Sequence, residues 1–202
     1  MKQIILLLIM ILPVFALANG NPSQLPMGGK ATLTDIKMDD VSGAEISLAD
    51  AKKENGLLVV FSSNTCPFVL QWEGRYNELK SWADQHKVGM VVLNSNHQKR
   101  DGDDSFEAMK KHAAEKGYKF SYVLDEESAI ANAYGGQTTP HAFLFDSRME
   151  LVYKGAIDDN YKSAGDVKQP YVKNAITEIA SGKKVSVTET KPVGCSIKRK
   201  TE

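Results

Sequence analysis

Two cysteines, Cys66 and Cys195, are the residues whose types could support redox chemistry in this sequence. Cys66 lies in "VVFSSNTCPFV", between an apolar run typical of a buried strand and a proline that suits the first turn of a helix. The free backbone N–H groups of a helix N-terminus stabilise a thiolate, which is the nucleophilic form of cysteine. We therefore predict that Cys66 is a reactive nucleophile, although a buried structural cysteine is the simpler alternative.

A nucleophilic Cys66 needs a second thiol to release the mixed disulfide or sulfenic acid that it forms. Cys195 lies in a tail after the last predicted helix, and Pro192 and Gly194 would allow this tail to turn back. Neighbouring basic residues would favour its thiolate: Lys191, Lys198 and Arg199. We predict a Cys66–Cys195 disulfide in the oxidised protein. The alternatives are a permanent structural bridge and a Cys195 that stays free or pairs with another chain.

The start of the chain has the pattern of a secretory signal peptide. Lys2 precedes an apolar run over residues 4–15, and small residues at Ala16 and Ala18 suit signal peptidase. The run is shorter than the roughly 20 residues that span a bilayer, which disfavours an uncleaved anchor. We predict a signal peptide over residues 1–18 and a periplasmic or secreted mature protein, in a compartment where disulfides persist.

Composition excludes some functions. The chain has 25 basic and 25 acidic residues and no basic block, so nothing favours nucleic-acid binding. His86, His97 and His112 lack metal-ligand spacing and are predicted to lie on the surface. No metal or organic cofactor is predicted, and the oligomeric state is left open.

Strands alternate with helices along the chain, which predicts an α/β fold with a mixed sheet flanked by helices on both faces. The predicted strands are "GLLVVFSS", "VGMVVLNSN", "FSYVLD" and the hairpin "HAFLFD"–"ELVYKG", and a smaller hairpin turns at Gly43. Helices are predicted over residues 66–86, with Leu70 on the inner side, and from a cap at Asp104 to a stop at Gly117. Two more are predicted in "EESAIANAYGG" and in "QPYVKNAITEIASG".

Composition shifts also predict the boundaries of the mature chain. Residues 19–31 are rich in Gly, Pro and Asn and are predicted to be a flexible leader. A single domain covers residues 32–182, and residues 183–202 form the tail that carries Cys195.

The residues around Cys66 resemble the strand–cysteine–helix segment of the thioredoxin superfamily, and "YGGQTTPHAFLFD" with "ELVYKGAIDD" resembles its cis-proline segment and closing hairpin. With the leading hairpin "DDVSGAEISLAD", the chain resembles the peroxiredoxin-like branch of the alkyl hydroperoxide reductase/thiol-specific antioxidant superfamily, in its members with a single active-site cysteine. The resemblance implies a thioredoxin-like fold. It also implies a cis Thr139–Pro140 peptide that faces Cys66 and helps to bind a partner's extended chain.

The sequence departs from both motifs of that superfamily. Val69 occupies the position of the second cysteine of a Cys-x-x-Cys site, which excludes dithiol exchange within one loop. Val59 and Ser63 occupy the positions of the proline and threonine of a peroxiredoxin site. Arg148 falls in a predicted hairpin turn, so we do not assign it to peroxide binding.

Several neighbours of Cys66 have two interpretations. His141 could act as general base or hydrogen-bond partner to Cys66, or it could point to the other face of its strand. Thr65 could bond the thiolate or cap the helix, and capping is the simpler role. Asn94 and Asn96 end a strand at the same sheet edge and are predicted to shape the pocket.

Glu73 and Arg75 lie two to three turns into the helix that follows Cys66. They could pair with neighbouring residues or with the tail, but a solvated helix face is the simpler prediction.

These observations predict an exported thiol–disulfide oxidoreductase. Its partners would be a protein or small-molecule disulfide or thiol and an external thiol reductant. A peroxiredoxin-like antioxidant peroxidase is the first alternative, and a non-enzymatic thioredoxin-fold binding module is the second.

Overall fold

The computed structural model describes residues 23–200, and the predicted signal peptide lies outside this range. In chain order the strands are β1 (Met38–Asp39), β2 (Glu45–Ile46), β3 (Gly56–Ser62), β4 (Val88–Asn94), β5 (Ser121–Leu124), β6 (Thr138–Thr139), β7 (His141–Asp146), β8 (Leu151–Gly155) and β9 (Cys195–Ser196). The helices are α1 (Leu48–Ala51), α2 (Pro67–Trp72), α3 (Tyr76–Gln85), α4 (Phe106–Lys116), α5 (Ala129–Tyr134) and α6 (Tyr171–Ala180).

Five strands form the central sheet in the order β5–β4–β3–β7–β8. β4 runs parallel to β3 and β5, and β7 runs antiparallel to β3 and β8. Because β3 and β4 are parallel, their carboxyl ends meet at one edge of the sheet, where Ser62 is paired with Asn94. The predicted mixed sheet, the late hairpin and the β1–β2 hairpin are confirmed.

All seven residues of β3 and of β4 are buried, as continuous apolar runs predict for strands covered on both faces. Alternate side chains divide between two apolar clusters, one on each face of the sheet. Helices α2, α3, α4 and α6 contribute to the first cluster, and α1 and α5 contribute to the second. The sheet is therefore a rigid platform with helices on both faces.

The helix predicted over residues 66–86 is interrupted. A short 3₁₀ turn over Glu73–Arg75 separates α2 from α3, and Leu70 is 45% exposed rather than part of the inner face. Glu73, predicted to be solvated, is buried between His112 and Lys116 at 2.7 and 2.5 Å. The buried carboxylate bends the chain towards its partners, which helical periodicity alone does not reveal.

Two further predictions about local structure are wrong. Arg75, also predicted to be solvated, forms a largely buried ion pair with Asp158 at 2.6 Å. The cap of α4 is Ser105, whose hydroxyl accepts from the Ala108 N–H, and not Asp104. The predicted end of α4 at Gly117 is confirmed by the left-handed conformation of that glycine, with φ of 59°.

The predicted flexible leader is bound to the domain over its described part. The Gly28 N–H donates to the Leu151 carbonyl, the Leu151 N–H donates to the Gly29 carbonyl, and the Leu25 N–H donates to the Tyr134 carbonyl. Residues 28–31 thereby lie along β8 and the turn before it, and the side chains of Leu25, Met27 and Ala31 pack against the second cluster. Within residues 23–200, no helix has the length and apolar character needed to cross a membrane.

Candidate active site

Cys66 is the residue that caps the N-terminus of α2, directly after the loop that follows β3. Its extended backbone (φ −68°, ψ 121°) ends the loop, and Pro67 begins the helix where a missing N–H costs no hydrogen bond. The Cys66 N–H donates to the Ser63 hydroxyl at 3.2 Å. Thr65 is exposed, and no side chain caps α2, so the predicted capping role of Thr65 is wrong.

The Thr139–Pro140 peptide is cis, as the resemblance implied, and it lies against Cys66. The Thr139 carbonyl oxygen is 2.9 Å from the Cys66 sulfur. The Thr139 hydroxyl is buried and has no hydrogen-bond partner of ordinary geometry among the described residues. β6, which contains Thr139, is therefore one wall of the site.

Cys195 reaches Cys66 through the tail. β9 pairs antiparallel with β6, so that Cys195 is opposite Thr139 and Ser196 is opposite Thr138. The two sulfur atoms are 2.8 Å apart, both as free thiols. The structure thus brings together the two cysteines that the sequence analysis proposed as a pair.

A glycine and two hydrogen bonds hold the tail in this position. A side chain at Gly194 would collide with the Thr139 carbonyl group, since a Cβ atom there would be 2.7 Å from the carbonyl carbon. After the cysteine, the Ile197 N–H donates to the Gln137 carbonyl at 3.1 Å, and the Lys198 N–H donates to the Asn96 side-chain oxygen at 2.9 Å. The tail is a fixed strand of the site.

The environment separates the acidities of the two thiols. Burial raises the pKa of Cys66, but hydrogen bonds from the Cys195 thiol, from Thr139 and from the backbone N–H of Val69 to its sulfur outweigh burial and lower it. The Thr139 carbonyl accepts from the neutral Cys66 thiol and so opposes ionisation, but it does not reverse the lowering of the pKa. Burial, the hydrogen bond to Cys66 and the Cys66 charge raise the pKa of Cys195 to about 11.

Behind the pocket lies a buried carboxylate that the sequence analysis interpreted only as a helix cap. Asp104 accepts hydrogen bonds from the Asn64 backbone at 2.8 Å and from the Asn94 and Asn96 side chains at 2.7 and 2.9 Å. Asn64 is two residues before Cys66, and Asn96 also holds the tail. Asp104 therefore connects the Cys66 loop to the tail that carries Cys195. In the sequence, Asp104 is marked only by its place in the loop between a buried strand and the next helix, which does not reveal these contacts.

His141 has no contact that would let it act on Cys66. Its Nδ1 accepts from the Gln137 N–H at 3.1 Å, and its buried Nε2 has no partner among the described residues. Burial and the charge of Lys154 lower the pKa of His141 to about 3, so the ring is neutral near pH 7. His141 supports the loop before β6 on the face of the second cluster, next to Phe143. The geometry does not support the general-base role.

A pocket of about 150 Å³ opens beside the two sulfur atoms. Besides the cysteines, its walls include polar residues from the Cys66 loop, from the segment after β4 and from the tail: Ser63, Thr65, Asn96, Lys99, Ser196 and Lys198. Within residues 23–200, no three His, Cys, Asp or Glu side chains are grouped closely enough to hold a metal ion.

The family model described as "AhpC/TSA family" matches residues 29–154, which is more than half of the chain. The chain belongs to the AhpC/TSA family. It is a thioredoxin-fold redoxin of the peroxiredoxin-like kind, as the sequence resemblance implied. The match ends before β9, so the tail that carries Cys195 lies outside the part of the chain that the family model describes.

Solved structures similar to this AhpC/TSA protein cover a larger share of the chain than the family model does. A hypothetical protein from Sinorhizobium meliloti is 30% identical, with a TM-score of 0.80 over 89% of this chain and 98% of the other. An uncharacterised conserved protein from Geobacillus kaustophilus is 31% identical, with a TM-score of 0.81 over 89% and 95%. A putative thiol:disulfide interchange protein DsbE from Chlorobium tepidum shares the fold at 19% identity, with a TM-score of 0.57 over 79% and 98%. A search of curated proteins found no match to the sequence.

Proposed function

We propose that this AhpC/TSA protein is an exported thiol–disulfide oxidoreductase, with Cys66 as its nucleophile and Cys195 as its resolving thiol. The observation that carries the proposal is the 2.8 Å contact between the two sulfur atoms. A disulfide bond is about 2.05 Å long, so the pair can be joined by a movement of less than about 1 Å. The two cysteines are 129 positions apart in the sequence, whereas those of a Cys-x-x-Cys site are about three positions apart.

The reaction needs a disulfide substrate and two exchange steps. The Cys66 thiolate attacks one sulfur of the substrate, the substrate S–S bond breaks, and the first half leaves as a thiolate that takes up a proton. Cys195 then loses its proton and attacks the Cys66 sulfur, which releases the second half as a thiol. The protein ends with a Cys66–Cys195 disulfide and the substrate is reduced by two electrons. An external dithiol or thiol reductant restores the two protein thiols.

The shared charge of the pair sets the order of these steps. While Cys66 is a thiolate, its charge raises the pKa of Cys195 and keeps it protonated as a hydrogen-bond donor. Once Cys66 is bonded to a substrate sulfur, that charge is gone and the pKa of Cys195 falls. Cys195 therefore becomes nucleophilic only after Cys66 has reacted, and Lys198 favours its thiolate.

Export is part of the proposal and is supported by the pattern of residues 1–18. In a periplasmic or extracellular compartment, reduced pairs of this kind must be maintained by a dedicated reductant, since disulfides persist there. The partners are then a disulfide substrate and a thiol reductant.

The test is a map of the cysteines in the mature protein. Alkylated, non-reduced peptides are analysed by mass after treatment with graded thiol–disulfide buffers. We expect a Cys66–Cys195 peptide that forms and opens reversibly as the buffer changes. Cys195→Ser should accumulate a mixed disulfide at Cys66 that no second thiol resolves, and Cys66→Ser should form no intramolecular disulfide and react with disulfides only slowly, through Cys195.

Three outcomes would contradict the proposal. Two freely alkylated cysteines under oxidising conditions would remove the resolving role of Cys195. A bond that opens only after unfolding would make the bridge structural. Formation of Cys66 sulfenic acid by hydrogen peroxide, at rates far above its reaction with disulfides, would favour a peroxidase, for which Val59 and Ser63 supply neither side chain of the peroxiredoxin motif.

A further inference from the structure

The tail of this protein occupies the edge at which an extended polypeptide could pair with β6. Both residues of β6 are already paired, Thr138 with Ser196 and Thr139 with Cys195. The approach is close, because the segment before Cys195 reaches the Thr139 carbonyl only with a glycine at position 194. While the tail is bound, a protein substrate has no free strand edge beside Cys66.

What stays open is the small pocket beside the sulfur pair. Its volume of about 150 Å³ is several times the roughly 10–15 Å³ that a cavity needs to hold one water molecule. Cys66 itself is only 5% exposed. One half of a small organic disulfide fits such a space, whereas an extended polypeptide would have to displace the tail to pair with β6 beside Cys66.

The rim of the pocket carries two ammonium groups. Lys99 follows β4 and is 3.9 Å from the exposed carboxylate of Asp103, and Lys198 forms no ion pair within the described range 23–200. The one carboxylate in the wall, Asp104, is fully buried, and both of its oxygens accept hydrogen bonds from amide groups. Arg100 lies behind it and donates to its backbone carbonyl at 2.8 Å. The accessible charge at the rim is therefore positive.

We propose that the substrate of Cys66 is a small organic disulfide with carboxylate groups, which the two lysines attract and the pocket admits. The inference rests on the proposed function and names its substrate class. The substrate accepts two electrons and is released as two carboxylate thiols, and the protein pair is oxidised to its disulfide. The tail stays bound throughout, because Cys195 acts as resolving thiol from its place on β9.

The test uses three disulfides of similar size and different charge. 3,3′-Dithiodipropionate carries two negative charges, bis(2-hydroxyethyl) disulfide carries none, and cystamine carries two positive charges. The reduced full-length mature protein is mixed with each at low ionic strength and pH 7, and thiol loss is followed by quenched alkylation and mass. Each rate is divided by the rate of the same disulfide with the Lys99→Glu/Lys198→Glu variant, which removes intrinsic differences in reactivity.

We expect the wild-type protein to react with dithiodipropionate about tenfold faster than the double variant does, and with cystamine severalfold slower. The neutral disulfide should change by less than twofold, and 0.5 M salt should remove most of the difference. Lys119→Glu is the matched control, since Lys119 is exposed and comes just before β5. It therefore lies near the amino ends of the parallel strands, whereas the site is at their carboxyl ends. The neutral double variant, Lys99→Gln/Lys198→Gln, should give an intermediate effect and guards against a folding defect in the charge reversal.

Equal normalised rates for the three disulfides would overturn the charge assignment, although the proposed function would survive. A polypeptide-bound disulfide that reacts faster than all three would overturn the size limit. If none of the disulfides oxidises the Cys66–Cys195 pair, the proposed function itself fails. The result therefore separates the substrate class from the reaction.

Discussion

The close approach of the tail to the cis-proline segment predicts a measurable effect of Gly194→Ala. A Cβ atom at this position would be 2.7 Å from the Thr139 carbonyl carbon and 3.2 Å from the Pro140 nitrogen, and closer still to the carbonyl oxygen. A methyl group needs more than 3.4 Å from such atoms, so the tail must move away by about 1 Å or detach. We expect the movement to break the hydrogen bonds that hold β9.

The cost falls on one redox state. In the reduced variant the tail can detach, and the conformational entropy that the free chain regains offsets the hydrogen bonds that it loses. In the oxidised variant the disulfide holds the tail beside Thr139, so those bonds are lost without this compensation. Two or three hydrogen bonds are at stake, among them Ile197 to Gln137 and Lys198 to the side chain of Asn96. At about 1 kcal/mol net for each bond, the oxidised form loses about 2 to 3 kcal/mol. This corresponds to a decrease of about 30-fold to 140-fold in the equilibrium constant for disulfide formation.

The assay is redox equilibration in glutathione buffers, with the oxidised fraction measured by alkylation and mass. A decrease of this size raises the midpoint potential by about 45 to 65 mV. Gly74→Ala is the control, because a Cβ atom at Gly74 meets nothing within 4 Å and the backbone there is not left-handed. A Gly194→Ala variant with the wild-type midpoint would refute the description of the tail as a tightly fitted strand.

Three further predictions concern the thiols and the buried carboxylates. In Cys66→Ser, loss of the thiolate charge and of the hydrogen bond should lower the pKa of Cys195 below about 11, as measured by the pH dependence of its alkylation. Asp104→Asn leaves the Asn64 N–H without its carboxylate acceptor, and we expect a loss of about 2 to 3 kcal/mol in urea unfolding together with slower alkylation of Cys66. Burial raises the pKa of Glu73, but its hydrogen bonds to basic and hydroxyl groups outweigh burial and lower the pKa. The ionised carboxylate therefore stabilises the fold above about pH 4.5, and this contribution is lost as the pH falls. Glu73→Gln should flatten the decrease of the unfolding free energy below about pH 4.5.

Matched variants distinguish these effects from general damage. Asp103→Asn is next to Asp104 but exposed, and Glu115→Gln is an exposed change on α4, so both should leave unfolding free energies within about 0.5 kcal/mol of wild type. An unchanged alkylation profile of Cys195 in Cys66→Ser would contradict the coupling between the thiols. An acid-unfolding curve of Glu73→Gln that coincides with that of the wild type would contradict the role of the buried ion cluster.

The sheet could be predicted from the sequence because its strands are long apolar runs with clear boundaries. The same periodicity failed for the helix over residues 66–86, where a buried charge decides the local geometry. Glu73 is buried only because His112, Lys116 and Tyr118 come from more than 38 residues away to meet it. A single sequence does not show such a distant pairing.

The candidate site, too, could be predicted only in part from the sequence. Cys66 could be found because strand, cysteine and proline are contiguous, and the cis-proline segment could be found through the resemblance. The supporting residues could not be assigned, because Asp104 and Asn96 act through contacts with the Cys66 loop and the tail. Side chains alternate between the two faces of a strand, so the sequence could not decide which face His141 occupies. The structure places His141 on the face of the second cluster, next to Phe143, where its Nδ1 accepts from the Gln137 N–H.

The same tail that delivers Cys195 also covers an edge of the central sheet. The Lys154 N–H on β8 donates to the Thr188 carbonyl, and the Thr190 N–H donates to the Lys154 carbonyl, while residues 28–31 cover the other end of β8. Exposed strand edges promote aggregation by pairing with the edges of neighbouring molecules. Detachment of the tail as far back as residue 188 would therefore remove Cys195 from the site and expose an unpaired edge of β8. We therefore expect the solubility of this protein to depend on the same tail that positions Cys195 beside Cys66.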